Sequence, residues 1–170
     1  MIIPSTVLVG NLGSTVWVRV EGRGTFQNSP GVKEFVKRMI RRGHRDFVVD
    51  LEKCELMDST FMGTLAGVAL RLREIGQGSL RAVNVNPRNF SLLENLGLDQ
   101  LFIVEEGKTN QAPKDLQTAT SPKLGASEQK GAVLAAHEAL VEAGPNNAEK
   151  FKDVIEYLRQ ELAQEDHAND

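Results

Sequence analysis

The chain has 170 residues, of which 41% are hydrophobic and 25% are charged, and its formal net charge at pH 7 is −3. This composition is typical of a folded protein whose apolar core needs neither a metal ion nor disulfides, and the length fits one domain with an appendage. The negative net charge argues against non-specific binding of nucleic acid. No run of residues approaches the roughly 20 apolar positions that span a bilayer, and the first ten residues lack a signal-peptide pattern, so we expect a cytoplasmic protein that does not enter a membrane.

Two strands and a helix are predicted in the first 45 residues. Two short runs rich in valine, 7–9 and 15–20, are separated by a turn that contains Asn11 and Gly13, which predicts a β-hairpin. A helix begins near Pro30, with apolar residues on one face and basic residues on the other. The basic face consists of Lys33, Lys37, Arg38, Arg41 and Arg42. Such a face is typical of a solvated helix surface, and the alternative is that it docks the acidic C-terminal region.

Strands and helices alternate through the rest of residues 1–106. Segment 46–51 has the nearly continuous apolar centre of a buried strand. Further strands are predicted at 80–85 and 101–104, with one helix before the first of them and another that begins at Pro87. Two consecutive strands followed by this alternation predict an α/β domain, with a mixed β-sheet and helices packed mainly on one face.

The C-terminal third has a different character. Residues 107–127 are polar, contain two prolines and show no apolar periodicity, so they are predicted to be a linker. Residues 128–165 carry two amphipathic stripes divided by Gly144 and Pro145, which predicts an αα-hairpin. Residues 128–170 are acidic, with 4 Lys and Arg against 10 Asp and Glu. Since each stripe needs burial, we expect the hairpin to pack on the domain, on a second copy in a homodimer, or on a partner.

The most specific pattern lies in residues 48–60. A buried strand is followed by an acidic residue, a short loop, an apolar residue and, at the start of a helix, the tripeptide Asp58, Ser59 and Thr60. A glycine-marked turn into a strand follows at 76–83, and a Leu-Gly-Leu sequence at 96–98 lies near the end of the next helix. This order resembles the STAS domain of the anti-sigma factor antagonists over about residues 5–106. The resemblance implies the STAS fold.

The resemblance also implies a function and a site. In STAS antagonists the first hydroxyl residue after this Asp is phosphorylated, which here is Ser59, with Thr60 as the second choice. The phosphate comes from an anti-sigma factor with a histidine-kinase-like ATPase fold, and a PP2C-type phosphatase removes it. The unmodified antagonist sequesters the anti-sigma factor and so regulates transcription without being an enzyme. The partner is then expected to contact Asp58, Thr60, Phe61 and Met62.

Physical chemistry allows a phosphate at Ser59. The N-terminus of a helix favours negative charge, so phosphorylation there can change the sign of the surface without breaking the fold. The simpler reading is that Asp58 or Ser59 only caps the helix, since both residue types are favoured at that position. The two roles are compatible.

Other functions remain as alternatives. One is a STAS subunit of a transporter ATPase or another signalling assembly, without a phosphorylation cycle. An enzyme with Asp58 or Ser59 as nucleophile is disfavoured, because the histidines are too scattered to nominate a base. They are His44, His137 and His167. No catalytic residue, metal site or cofactor is predicted, and Cys54 is expected to be a small core residue.

Overall fold

A mixed β-sheet with helices packed against it forms the larger part of the protein, and two further helices follow in the chain. The structure is a computed structural model that describes residues 4–108 and 112–168. The strands are β1 (Thr6–Leu12), β2 (Thr15–Gly24), β3 (Asp46–Asp50), β4 (Cys54–Met57), β5 (Ser79–Val85), β6 (Ile103–Glu106) and β7 (Gln117–Thr118). The helices are α1 (Ser29–Arg41), α2 (Ser59–Ile75), α3 (Pro87–Asn95), α4 (Ala126–Ala143) and α5 (Asn147–Ala168), with a 3-10 turn at Leu98–Gln100.

The sheet is mixed, as predicted. Its strand order is β6-β5-β3-β2-β1-β7, and β4 pairs with β2 outside this path. Strand β1 is antiparallel to β2 and to β7, whereas the other neighbouring strands are parallel. The hairpin of β1 and β2 therefore leads into a parallel βαβ arrangement, which confirms the α/β fold class.

The two faces of the sheet are covered differently. On one face, Val18 and Val49 belong to a large core that also contains buried apolar side chains of α1, α2 and α3. The opposite face carries a smaller cluster that consists of Trp17, Val48 and Val83, with Ala112 and Leu116 packed against it. The helices of the domain thus contribute to one core, as expected, and a segment of the predicted linker covers the other face.

The linker region has structure that its sequence did not predict. Gln117 and Thr118 form β7 beside β1, and the backbone N–H of Ala119 donates to Val7 O at 2.8 Å. Ser121 Oγ accepts a hydrogen bond from the backbone N–H of Gly31 at 3.0 Å. A two-residue strand is too short to show an alternating pattern, so these attachments could not be read from the composition.

Strand β4 was also not predicted, because its segment reads as a loop in the sequence. Its four residues lie parallel to the end of β2, and the register of this pairing shifts between Gly22 and Arg23. Gly22 has a φ of +82°, a left-handed conformation that glycine adopts without strain. Strand β4 ends at Met57 and so places Asp58 and the start of α2 next to the end of β2.

Helices α4 and α5 form the predicted αα-hairpin, called here the C-terminal hairpin. Helix α4 packs along α2, and its buried residues include Ala136 and Leu140. The hypothesis that the hairpin docks on the basic face of α1 is wrong for the described residues. The ion pairs of the hairpin are internal, Lys130 with Glu161 and Glu165 and Arg159 with Glu138, and the basic residues of α1 take part in none. None of the helices within the described ranges is long and apolar enough to cross a membrane.

Candidate functional site

Asp58 joins the start of α2 to the loop that follows β2. One carboxylate oxygen, Oδ1, accepts from the backbone N–H of Phe61 at 2.8 Å, which is the geometry of an N-cap. The other, Oδ2, accepts from the backbone N–H of Phe26 at 2.9 Å, and the Asp58 N–H donates to Gly24 O at 2.8 Å. Asp58 is therefore a cap and a positioning residue, which fixes where Ser59 lies.

Ser59 is the first residue of α2 and contacts the C-terminal hairpin. Its hydroxyl Oγ lies 2.9 Å from Nε2 of His137, a residue of α4. His137 is only 4% exposed, and its Nδ1 lies 2.7 Å from the carbonyl oxygen of Val133. Its ring packs edge-on against Phe151 of α5, with centroids 5.1 Å apart. The predicted phosphorylation site is thus engaged by a buried histidine 78 residues further along the chain.

The hydrogen bonds of His137 define its tautomer. A carbonyl oxygen can only accept, so Nδ1 donates to Val133, and in the neutral imidazole Nε2 then accepts the proton of the Ser59 hydroxyl. A Ser-His pair of this kind is part of a catalytic triad, in which a carboxylate orients the imidazole. Here the main-chain carbonyl of Val133 takes the place of that carboxylate. The Ser59–His137 contact therefore resembles a structural hydrogen bond between α2 and α4 more than the hydrogen bond that activates a nucleophile.

The other residues of the predicted site face inward. Thr60, Phe61 and Met62 are 7%, 0% and 4% exposed, respectively. A Cβ atom at Gly24 would come within 2.7 Å of the Phe61 ring, so the absence of a side chain there makes room for the phenylalanine. Phe61 and Met62 belong to the main core in this conformation, and their predicted contact with a partner stays a prediction. Asp58 and Ser59 are half-buried.

Helix α4 approaches α2 closely just beyond Ser59. A Cβ atom at Gly63 would lie 2.2 Å from the carbonyl oxygen of Ala136 and 2.9 Å from its Cβ, so only glycine permits this spacing. One turn later the helices diverge, because a Cβ at Gly67 would meet only Ala139 Cβ, at 3.9 Å. Helix α4 therefore covers the side of the first turns of α2 on which a partner would be expected to dock.

The role of His137 was not predicted from the sequence. The three histidines are too scattered along the chain to nominate a base, so His137 was assigned no function. The available signal was its position on the apolar stripe of α4, since a polar residue on a buried face needs a hydrogen-bond partner. That signal identifies His137 as a contact residue but does not say which residue it contacts.

The comparisons with known proteins agree with this fold. A family model described as "Mlab, STAS domain" matches residues 7–105. The anti-sigma-B factor antagonist of Staphylococcus aureus is 33% identical over 90 residues, which cover 53% of this chain and 82% of the relative. These matches place the chain in the STAS-domain family.

Solved structures are similar in fold. An anti-sigma factor antagonist from Mycobacterium paratuberculosis is 20% identical with a TM-score of 0.53, over 60% of this chain and 86% of that one. The anti-sigma factor antagonist SpoIIAA in its unphosphorylated form is 18% identical with a TM-score of 0.50, over 61% of this chain and 89% of that one. The match to the family model ends at residue 105, so the C-terminal hairpin lies outside it.

Proposed function

We propose that this chain is an anti-sigma factor antagonist, a binding module that sequesters an anti-sigma factor and so regulates transcription in the cytoplasm. The relative in Staphylococcus aureus and the structural neighbours carry that name. The expected partner is an anti-sigma factor with a histidine-kinase-like ATPase fold, which docks on the N-terminal face of α2. Ser59 is the proposed phosphoacceptor, Thr60 the second choice, and a PP2C-type phosphatase the enzyme that reverses the modification.

The placement of Ser59 supports this role. It begins a helix of 17 residues, where the helix dipole and unpaired N–H groups favour an added phosphate. Its backbone is fixed by the Asp58 cap, and its half-buried side chain forms a hydrogen bond with α4. Thr60 is less suited as an acceptor because it is buried.

The Ser59–His137 hydrogen bond extends this proposal to the C-terminal hairpin. A kinase needs the hydroxyl free, and a partner needs the face of α2 that α4 covers. The C-terminal hairpin therefore competes with both, and the antagonist acts when the hairpin has moved away. A ligand that binds only the open form shifts this equilibrium by its differential affinity.

A pair of glycine substitutions tests this competition. Gly63→Ala puts a methyl group against the backbone of Ala136, which overpacks the contact and favours the open hairpin, while alanine improves the propensity of α2. Gly67→Ala is the matched control on the same helix, since its Cβ meets only Ala139 at an ordinary distance. We expect Gly63→Ala to bind the cognate anti-sigma factor roughly 5- to 150-fold more tightly, a typical coupling of about 1–3 kcal/mol.

The phosphorylation switch is tested separately with the same purified anti-sigma factor and ATP. Phosphate should enter the parent protein at Ser59, faster in Gly63→Ala and not at all in Ser59→Ala, as located by peptide mass spectrometry. Ser59→Asp should abolish binding of the anti-sigma factor, because the added charge lies at the docking face. Equal affinity of Ser59→Asp and the parent protein would reject the switch.

The Ser59–His137 hydrogen bond also supports a second candidate function. A hydroxyl already held by His137 fits a STAS subunit that is never phosphorylated, bound to a transporter ATPase or another signalling assembly. The family model that matches residues 7–105 carries the description "Mlab, STAS domain". Ser59 found unmodified in cells, together with co-purification of an ATPase, would favour this alternative over the antagonist.

A further inference from the structure

A cavity of about 460 Å³ lies between α1, α2 and α4, beside the contact of the C-terminal hairpin with the domain. Its apolar lining includes Val36 and Ile40 of α1, Val68 of α2, and Ala139 of α4. Helix α4 packs along α2, and α1 also contacts α2, so the cavity lies in the gap between the two outer helices, α1 and α4. Its volume falls within the roughly 300–1,000 Å³ that is usual for small-molecule sites.

The rim of the cavity on the α1 side is basic. Lys33, Lys37 and Arg41 lie four residues apart, so they follow one another along a single face of α1. Among the described residues, none of the three forms an ion pair, and no Asp or Glu lines the cavity. Arg71 of α2 adds a fourth cation, which contacts Glu74 at 3.4 Å. The α1 and α2 sides of an apolar cavity thus carry positive charge, without a counter-charge in the lining.

The positive charges disfavour one another. Partial burial and the neighbouring Lys37 ammonium lower the pKa of Lys33, while Glu34 opposes this shift. An anion placed at the rim would relieve this repulsion. The site therefore has the two halves of an amphiphile-binding site: an apolar interior and a cationic mouth.

We propose that this cavity binds a single-chain anionic amphiphile. The acid group lies at Lys33, Lys37 and Arg41, and the hydrocarbon chain extends between Ile40, Val68 and Ala139. Since α4 forms one wall, the bound amphiphile also stabilises the docked hairpin. This proposal does not depend on whether Ser59 is phosphorylated.

The binding test uses the full chain with decanoate, below its micellar concentration, measured by calorimetry. Decanol and the decyltrimethylammonium cation are the matched ligands, with the same chain and no negative charge. We expect saturable binding of one decanoate per chain and roughly tenfold or more weaker binding of the other two, as charge-assisted contacts would give. No saturable binding of decanoate, or equal binding of all three ligands, would overturn the proposal.

Two leucine substitutions locate the site. Gly67→Leu places a side chain into the cavity, where a Cβ would meet only Ala139 at 3.9 Å, and should abolish binding of decanoate. Gly131→Leu is the control: it is the same substitution on α4, outside the lining, with no heavy atom within 4 Å of a Cβ. It should bind decanoate as the parent does.

A charge variant tests the mouth of the cavity. The double substitution of Lys33→Gln with Lys37→Gln should weaken binding of decanoate about tenfold and leave that of decanol unchanged. Thermal unfolding of each variant checks that the fold is retained. Undiminished binding by folded Gly67→Leu would place the ligand elsewhere and overturn the assignment.

Discussion

The STAS domain and the C-terminal hairpin are held in different ways. In the domain, large apolar side chains such as Phe47, Phe61 and Leu65 are completely buried between the sheet and the helices. The hairpin adds fewer large side chains to this core, Leu140 fully and Phe151 in part, and it meets the start of α2 through Gly63 and Ala136 and through a few hydrogen bonds. Burial of large apolar side chains contributes most of the stability of a core, whereas a contact of this second kind depends on close fit and on individual hydrogen bonds.

This difference explains how one chain can combine a fixed fold with a changeable surface. Loss of the hairpin contact exposes Leu140 and part of Phe151, and otherwise mainly alanine, glycine and a few polar groups that water can solvate. Loss of a core helix exposes several large side chains at once. Local opening therefore has its lowest free energy where few large apolar groups are buried, which in this protein is the hairpin and its contact with α2.

The largest expected effect tests the role of Phe61. Because this ring is fully buried against Gly24, Phe61→Ala should lower the free energy of unfolding by about 3–5 kcal/mol, measured by urea denaturation. Phe26→Ala is the control, because that side chain is 39% exposed and should cost much less. Equal losses in the two variants would contradict the assignment of Phe61 to the core.

A smaller effect is expected at the turn of the hairpin. Asn147 is 1% exposed, and its Nδ2 donates to Leu96 O at 2.9 Å and to Leu140 O at 2.7 Å, which ties the hairpin to the end of α3. Asn147→Ala leaves two buried carbonyl groups without this donor, at a cost of about 1–3 kcal/mol. The loss should appear as faster amide exchange in α4 and α5, while exchange in β3 stays unchanged.

Asn146→Ala is the matched control for that prediction. Asn146 is exposed and directly precedes α5, where it can serve only as a helix cap, so the same substitution there should change exchange in the hairpin less than Asn147→Ala does. If exchange in β3 accelerates together with that in the hairpin, the two regions unfold as one unit. The distinction between them would then fail.

The sequence predicted most of the domain and little of the contact between the two regions. The order of strands and helices follows from local apolar patterns, and the cap at Asp58 from its residue type at a helix start. Strand β4 was missed because its burial does not alternate: Cys54 and Met57 are buried, with Glu55 exposed between them. Such short strands form because a neighbouring edge is available, which is a property of the assembled fold.

The close contact at Gly63 was equally inaccessible to sequence reasoning. A glycine inside a helix is unfavourable by about 1 kcal/mol relative to alanine, which hints at a reason for its presence. Which residue fills the space at Gly63 depends on the direction in which the hairpin returns across the domain, and that residue is Ala136. Only the three-dimensional arrangement gives that direction, and it also brings His137 to Ser59.

The smallest expected effect isolates the Ser59–His137 hydrogen bond. A double-mutant cycle with Ser59→Ala and His137→Ala removes each partner alone and both together, with amide exchange in α4 as the measure of hairpin opening. The coupling energy should be about 0.5–1.5 kcal/mol, as for one neutral hydrogen bond. Each single substitution will also change packing, most of all His137→Ala, which removes the ring next to Phe151. The cycle cancels those separate costs. A coupling near zero would mean that Ser59 and the hairpin are neighbours without interaction. The hairpin would then hinder the proposed phosphorylation only by covering α2.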